Sequence, residues 1–593
     1  MLYLFRNSSD NMCIFCSLSH ITDKHLNVEE SSKMNLLGNG TDRQFWDKVR
    51  ESDSYEIFRN DASKFWNEYC ESDLEALKYS EFRLFFTTGD RAVYEKAYFV
   101  RRKALCASAV MSLIYPDDER YINKLMDVIF AICDEYTWCL PAHQKQNEYN
   151  DNSRVDLFAS ETAFALAEIY TLLGDRLDSL IKSRIEVEVE RRVFLSYESN
   201  DPYTNWEIWT NNWVAVCTGS IAGAYMLLAP DRARALIPRF ERAMERFLSG
   251  YQDDGVCSEG CSYWRYGFGF FTVYADMIKT FTDGEIDHFA SDKVKLISSF
   301  EQNMLLSGES CVSFSDSRSD TKYQLGLSHY LKDKYPDTNK VFDPKLAYLG
   351  DADGHFCLFW RSAAWFNEEY YKNPDPVSEC VDFFAEQTQW YIKRGASYGF
   401  AVKGGHNAEF HNHNDVGSFI FASGGKHIIT DPGPARYTRQ YFNGDERYMI
   451  FEARSESHSV PIIGGKLQQH GNQYRAENFG LRGDILSMQM QSAYGIDELH
   501  LLERSFSFAD NSVTLTDKID YVGDGVVTER FILTDEPKVR EGGFSVGDAF
   551  LRVSTYALYA VSTYTLRDGK VVYLLDLVLN KDTVKFVMTV ECK

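Results

Sequence analysis

His411-Asn412-His413-Asn414-Asp415, followed by Gly417-Ser418-Phe419 and then Asp431-Pro432-Gly433, gathers residue types able to bind a metal or move a proton. Two imidazoles two residues apart share one face of an extended strand. Asp431 lies eighteen residues beyond His413, at the end of a strand expected over Lys426 to Thr430, and Gly424-Gly425 turns the chain from a strand over Ser418 to Phe421. Two histidines and a carboxylate at one sheet edge suit a divalent metal, proton transfer, or both. His458, between Ser455-Glu456-Ser457 and the apolar Val460-Pro461-Ile462-Ile463, completes a His-Asp-His set with His413 and Asp431, three protein ligands with an open position. Two nitrogens and one oxygen suit Zn2+, with Mn2+ the alternative where carboxylate and water dominate. A metal bracing the strands there leaves His411 free for proton transfer.

Two earlier stretches are also unusual. Asn205 to Trp213 packs three Trp and three Asn into nine residues, among them Trp206, Glu207, Asn211, Asn212 and Trp213. Paired Asn beside Trp suggests a cleft floor that hydrogen-bonds a ligand, and equally a helix N-cap with Trp in the core. Asp254 to Gly267 holds three glycines, Glu259, Tyr263, Arg265 and Tyr266. It is a plausible site or a set of core aromatics, and the two tyrosines can face one side of a helix. In the loop from Gly433 to Tyr448, Arg436, Arg439 and Arg447 are either a basic lining for an acidic ligand or solvated charges. Cys13 and Cys16 form an isolated CxxC, whereas Cys257 and Cys261 read as packed thiols.

The elements that must position these residues divide the chain. Residues 1–40 read as a poorly ordered or irregular segment, with Ile21 to Gly40 polar and unpatterned. From 41 to 350 the apolar spacing is helical, as in Ala104, Ala107, Met111 and Ile114, or Phe158, Thr162, Leu166 and Tyr170, or Trp213, Cys217, Ile221, Ala224 and Leu228. Asp231 reads as a helix N-cap. Residues 351–380, with Asn373-Pro374-Asp375-Pro376, read as a linker. From 381 to 593 period-two runs such as Ser512 to Leu515 and Val584 to Val590, separated by Gly and Asp turns, predict an antiparallel β-sandwich. A helical half followed by a β half is the expected α+β architecture.

Bulk composition narrows the partners. The formal charge, 63 − 87 = −24, excludes a global attraction for nucleic acid, so an acidic ligand needs a locally basic cleft. Aromatic content of 15% suits sugar platforms as well as large cores. No run of about eighteen apolar residues predicts a membrane span. The first twenty residues make a poor signal peptide, Met34 is an alternative start, and thirteen cysteines, an odd number, favour a reducing compartment. Cytoplasm is the expected location, with periplasm or export as alternatives, for a monomer or homodimer.

Together, Asn211-Asn212-Trp213, Glu259-Gly260-Cys261-Ser262-Tyr263-Trp264-Arg265-Tyr266 and His411-Asn412-His413-Asn414-Asp415 through Asp431 resemble the heparinase II/III-like polysaccharide lyases. That family joins an N-terminal α/α toroid, an incomplete barrel, to a C-terminal antiparallel β domain. The resemblance implies β-elimination on a uronic acid of a glycosaminoglycan such as heparan sulfate, chondroitin sulfate or hyaluronan. In it Asn212 neutralises the C5 carboxylate, Tyr263 or Tyr266 and His411 are acid and base, and His413, Asp431 and His458 hold the metal. Asn211, Trp213, Trp206, Glu207, Glu259, Arg265, Arg436 and Arg439 would line the substrate site, with Arg265 lowering the pKa of the tyrosine. Alginate lyase and uronate C5-epimerase are alternatives within the fold, and a non-catalytic carbohydrate-binding protein lies outside this chemistry. Glu161, Glu207 and Glu259 leave a glycoside hydrolase formally open.

Overall fold

A computed structural model describes residues 35–145, 151–203, 206–348, 354–377 and 381–592. Cys13, Cys16, Met34 and Asn205 lie outside the described residues. Residues from Arg43 to Lys372 are mainly helical, and those from Val381 onward form antiparallel sheets, as the change of apolar period predicts.

The helical half is built around Asn212–Leu228, which packs on Leu157–Leu173, Pro230–Ser249 and Cys261–Phe281. Every residue of Asn212–Leu228 except Trp213 is buried, so its apolar stripe extends round the whole cylinder, as in a core helix. Gly223 makes this possible, because a Cβ there would collide with the Phe164 ring. Leu157–Leu173 lies in the span whose composition suffices to cross a membrane, yet most of that span is buried inside the domain. Asp231 is not an N-cap. Ala229 occupies the cap, Pro230 starts the helix, and Asp231 sits in the first turn, where the helix dipole favours an anion.

Two boundaries differ from the sequence reading. Residues 351–380 are not simply a linker: Phe356–Ala364 and Glu368–Lys372 are helices, and the first is buried almost throughout. The apolar run Phe356-Cys357-Leu358-Phe359-Trp360 outweighs the prolines that follow it. At the other end, Leu36 and Leu37 are buried in the helical core and Gly40 lies against Trp360.

The β half contains two large antiparallel sheets that share one core. The nine-stranded sheet runs Leu558–Thr565, Val571–Val578, Val527–Leu533, Lys426–Ile429, Phe419–Ser423, Gly399–Lys403, Trp390–Arg394 and Val381–Ala385, with Ile462–Ile463 also pairing Val527–Leu533. The eight-stranded sheet runs from Glu477–Arg482 through Ser512–Tyr521 to Lys538–Arg540. Phe400 and Phe419 of the first meet Phe506 of the second at ring separations of 4.9 and 5.1 Å. Gly424 (φ +59°) and Gly425 (φ +82°) form the predicted hairpin, a conformation that admits glycine at both central positions.

Between the sheets, Arg504 fixes the loops that carry the site. It is fully buried, 2.6 Å from Asp517 and 3.4 Å from Glu529, and donates to the carbonyls of Gly417 and Ser459 at 2.9 and 2.7 Å. Arg504→Leu leaves the buried Asp517 carboxylate without its cation, and should cost about 3–5 kcal/mol of stability, read by urea denaturation.

Candidate active site at the domain junction

Residues Leu305 to Ser317 press the helical half against the β half. Arg394 donates to the Leu305 carbonyl at 2.7 Å, and His427 Nε2 lies 2.9 Å from the Cys311 carbonyl. This segment delivers Asp316, a fully buried carboxylate, to the centre of the junction. Gly260 (φ +94°) starts the helix Cys261–Phe281 at the point where Phe314 and Ser317 leave no room for a Cβ. That close approach turns the first helical turn, with Tyr263, toward the β half.

Tyr263 stacks on His411, with ring centroids 4.0 Å apart. His411 is not on a strand: it lies in a turn at φ +58°, so the shared strand face expected for His411 and His413 does not exist. The two rings converge nonetheless, through Asp316. His411 Nδ1 is 2.7 Å from one carboxylate oxygen and His413 Nε2 is 3.4 Å from the other. Tyr437 donates to Asp316 at 3.2 Å, Tyr441 donates to it at closer range, and Arg447 stands 3.5 Å away. Burial alone would raise Asp316, but the hydrogen bonds from the two histidines and the Arg447 charge hold it well below the usual carboxylate range. An ionised Asp316 makes His411 Nδ1 a donor and leaves Nε2, 3.7 Å from Glu259, with its lone pair free.

The tyrosine hydroxyls form a chain with one direction. Tyr437 spends its proton on Asp316, so Tyr263, 2.8 Å from the Tyr437 oxygen, is the donor between the two phenols. Burial and the Asp316 charge push Tyr263 upward, opposite to the lowering expected from Arg265. Arg265 donates to the Lys322 carbonyl at 2.8 Å and covers the Tyr348 ring, and the cation that acts on Tyr263 is Arg447. Tyr266 gives its hydroxyl to Glu161, whose other oxygen is 2.6 Å from His355 Nδ1. The Tyr263 hydroxyl therefore belongs to the His411 and Asp316 network, and that of Tyr266 does not.

Asn212 opens its helix with Asn211 as N-cap, the Asn211 Oδ1 accepting from Trp213 N at 3.2 Å. Asn212 Nδ2 donates to Glu259 at 2.6 Å. Burial raises the Glu259 carboxyl above its ordinary range. Trp206 and Trp213 line the cleft, whereas Glu207 is turned into the protein, 2.7 Å from Arg239, so its expected place on the substrate surface is a correction. Glu207 braces the chain ahead of the Asn pair. Glu161, Glu207 and Glu259 are each hydrogen-bonded to other protein groups, and none of the three lines this cleft.

The cleft has a volume of about 1640 Å3 and contains Asn211, Asn212, Tyr263, Tyr266 and His411. Arg91, Lys145, Arg154, Arg436, Arg439, Arg447 and Arg567 also line it, against the acids Glu95, Asp156 and Glu409. Each acid has a basic neighbour: Arg91 at 2.5 Å, His143 at 2.6 Å and Lys403 at 4.0 Å, respectively. Arg436 and Arg439 are exposed, as a lining requires, while Arg447 is buried in the Asp316 network. His143, held by Asp156 and set against Trp213 at 4.7 Å, had no signal in its local sequence.

Beneath His411, one ligand atom each from His413, Asp431 and His458 lies within 4.8 Å of the others, and all three residues are buried. Among the described residues, His413 Nδ1 is buried without a hydrogen-bond partner. His458 donates Nε2–H to the Glu452 carbonyl at 3.1 Å, which aims Nδ1 at Asp431, 2.9 Å away. This donor set fits a divalent cation.

The sequence has no match among curated proteins. Residues 382–562 match the model of the heparinase II/III-like C-terminal domain. Among solved structures, the chain is similar to heparinase III (TM-score 0.60, 14% identity, covering 96% of this chain and 92% of that one). It is also similar to a heparan sulfate lyase from Pedobacter heparinus (0.51, 14%, 97% and 92%). A third is the chondroitin AC lyase of Streptomyces coelicolor A3, solved with chondroitin sulphate (0.52, 11%, 95% and 83%). At these identities the shared property is the fold. Residues 382–562 thus form a heparinase II/III-like C-terminal domain, and the whole chain shares its fold with these solved structures.

Proposed function

We propose that the protein is a polysaccharide lyase that cleaves uronate-containing glycosaminoglycans by β-elimination. The observation that carries this reading is the cleft's charge: seven Lys or Arg side chains against three acids, with the exposed Arg436 and Arg439 among the seven, beside a Tyr, His and Asn set, in a chain of net charge −24. A local cationic field in an acidic protein selects an anionic ligand.

The residues divide the chemistry as follows. The C5 proton of a uronate becomes acidic only if its carboxylate charge is neutralised as the enolate-like state develops. Asn212 Nδ2 has a second N–H beyond the one given to Glu259, and offers it to that carboxylate. Glu259, raised by burial, removes like-charge repulsion when it carries a proton. His411 Nε2 takes the C5 proton, with Asp316 stabilising the imidazolium that results. Tyr263, a phenol kept protonated by its surroundings, gives its proton to the departing O4.

His413, Asp431 and His458 would hold a divalent ion, Zn2+ or Mn2+, whose fixed charge braces the loop bearing His411. Chelator treatment should lower the melting temperature and Zn2+ should restore it, a stabilisation of about 3 kcal/mol at a hundredfold excess over Kd. His413→Ala should abolish the response.

The substrate test is ultraviolet absorbance from a new C4–C5 double bond on heparan sulfate, chondroitin sulfate, hyaluronan and alginate in separate reactions. A rise on a glycosaminoglycan supports the proposal and names the polymer. A rise on alginate alone moves the substrate, and no rise on any polymer by the metal-loaded protein contradicts the reading.

A further inference from the structure

The strand Leu558–Thr565 is an outer edge of the nine-stranded sheet, paired among the described residues only with Val571–Val578. Its eight residues keep an unbroken register from Leu558 opposite Val578 to Thr565 opposite Val571. Open edges normally carry a lysine, a proline or a bulge, because unpaired N–H and C=O groups recruit another strand. This edge carries none. Ser554 to Thr565 contains no charged residue, in a chain that is 25% charged. Leu558, Tyr559 and Val561 are 68%, 47% and 39% exposed. The strand is held in place, since Tyr559 meets Phe544 at 5.4 Å and Tyr564 meets Phe451 at 4.1 Å.

We propose that this edge is a dimerisation surface on which two copies of the chain pair Leu558–Thr565 with Leu558–Thr565, antiparallel, about a two-fold axis. Charge identifies the occupant. Besides Ile462–Ile463, which is only two residues long, the other outer edges of the two large sheets carry charge, namely Asp382 in Val381–Ala385, Glu477 and Arg482 in Glu477–Arg482, and Lys538 and Arg540 in Lys538–Arg540. Pairing the uncharged edge with any of these would bury a charge against apolar side chains. Pairing it with itself meets no charge, satisfies both edges together and closes at two copies. A single eight-residue strand pair is a small interface, at the low end of those found in dimers.

Sedimentation velocity of the full, metal-loaded chain, from nanomolar to high micromolar, tests the pairing independently of any enzymatic activity. The weight-average mass should rise from monomer to dimer. Val561→Lys on one face of the strand, or Ser562→Lys on the other, should raise the dimer dissociation constant on the order of 100-fold by placing a charge in the apolar strand pair. Circular dichroism melting checks that each variant is folded, and Ser562→Lys decides if Val561→Lys is not. A monomer at every concentration, or a dimer that survives a folded lysine variant unweakened, overturns the proposal.

Discussion

Tyr263→Phe should reduce turnover of the uronate polymer by about 10²–10⁴-fold, the range for removing a positioned general acid, with KM nearly unchanged. The ring packs on His411 in either residue, so the substitution removes one hydroxyl and its bond to Tyr437 while retaining the stacking surface. Tyr266→Phe is the matched control. Its hydroxyl is committed to Glu161 beside His355, away from Asp316, and its loss should change the rate by less than about tenfold. Steady-state kinetics of the two variants distinguishes the tyrosines, which lie only three residues apart on one helix.

The second large effect is expected at Asp316. Asp316→Asn keeps the volume but places an amide against His411 Nδ1. If that amide donates through its nitrogen, the imidazole must carry its proton on Nε2, the atom proposed to accept one from C5. A wrong tautomer of this kind lowers turnover by up to about 10⁴-fold where the orienting carboxylate of a catalytic histidine is replaced. Stability should also fall, by about 1–3 kcal/mol, because Tyr437, Tyr441 and Arg447 lose the charge they surround. The kinetic loss should persist at temperatures where circular dichroism shows a fully folded variant. A merely structural Asp316 would give unfolding with normal turnover in the folded fraction.

The contrast between these residues shows what the sequence carried. Tyr263, His411, His413, Asp431 and His458 stand in short stretches whose composition is unusual on its own, and the Gly424-Gly425 hairpin follows from local turn chemistry. Asp316 sits in Ser313-Phe314-Ser315-Asp316-Ser317, a stretch with no periodicity, and meets His411 across 95 residues of chain. His143 reaches Trp213 in the same long-range way. The positions of Glu207 and Arg265 were also illegible, because a charged residue near a motif says nothing about which way it faces. Glu207 turns inward to Arg239, and Arg265 turns to the Lys322 carbonyl and Tyr348. The helical and β halves were readable from period alone, since each depends on the local face that must be buried. The boundary was not, because the prolines after Lys372 are a stronger local signal than the buried helix Phe356–Ala364 before them.

Running the reaction in water enriched in oxygen-18 tests the central assignment most directly. Mass spectrometry of products from wild type and Tyr263→Phe should show an unsaturated uronate at the new non-reducing end, no oxygen-18 from cleavage, and far less product from the variant. Oxygen-18 in a saturated product would mean hydrolysis and would contradict the account, as would cleavage by Tyr263→Phe at the wild-type rate.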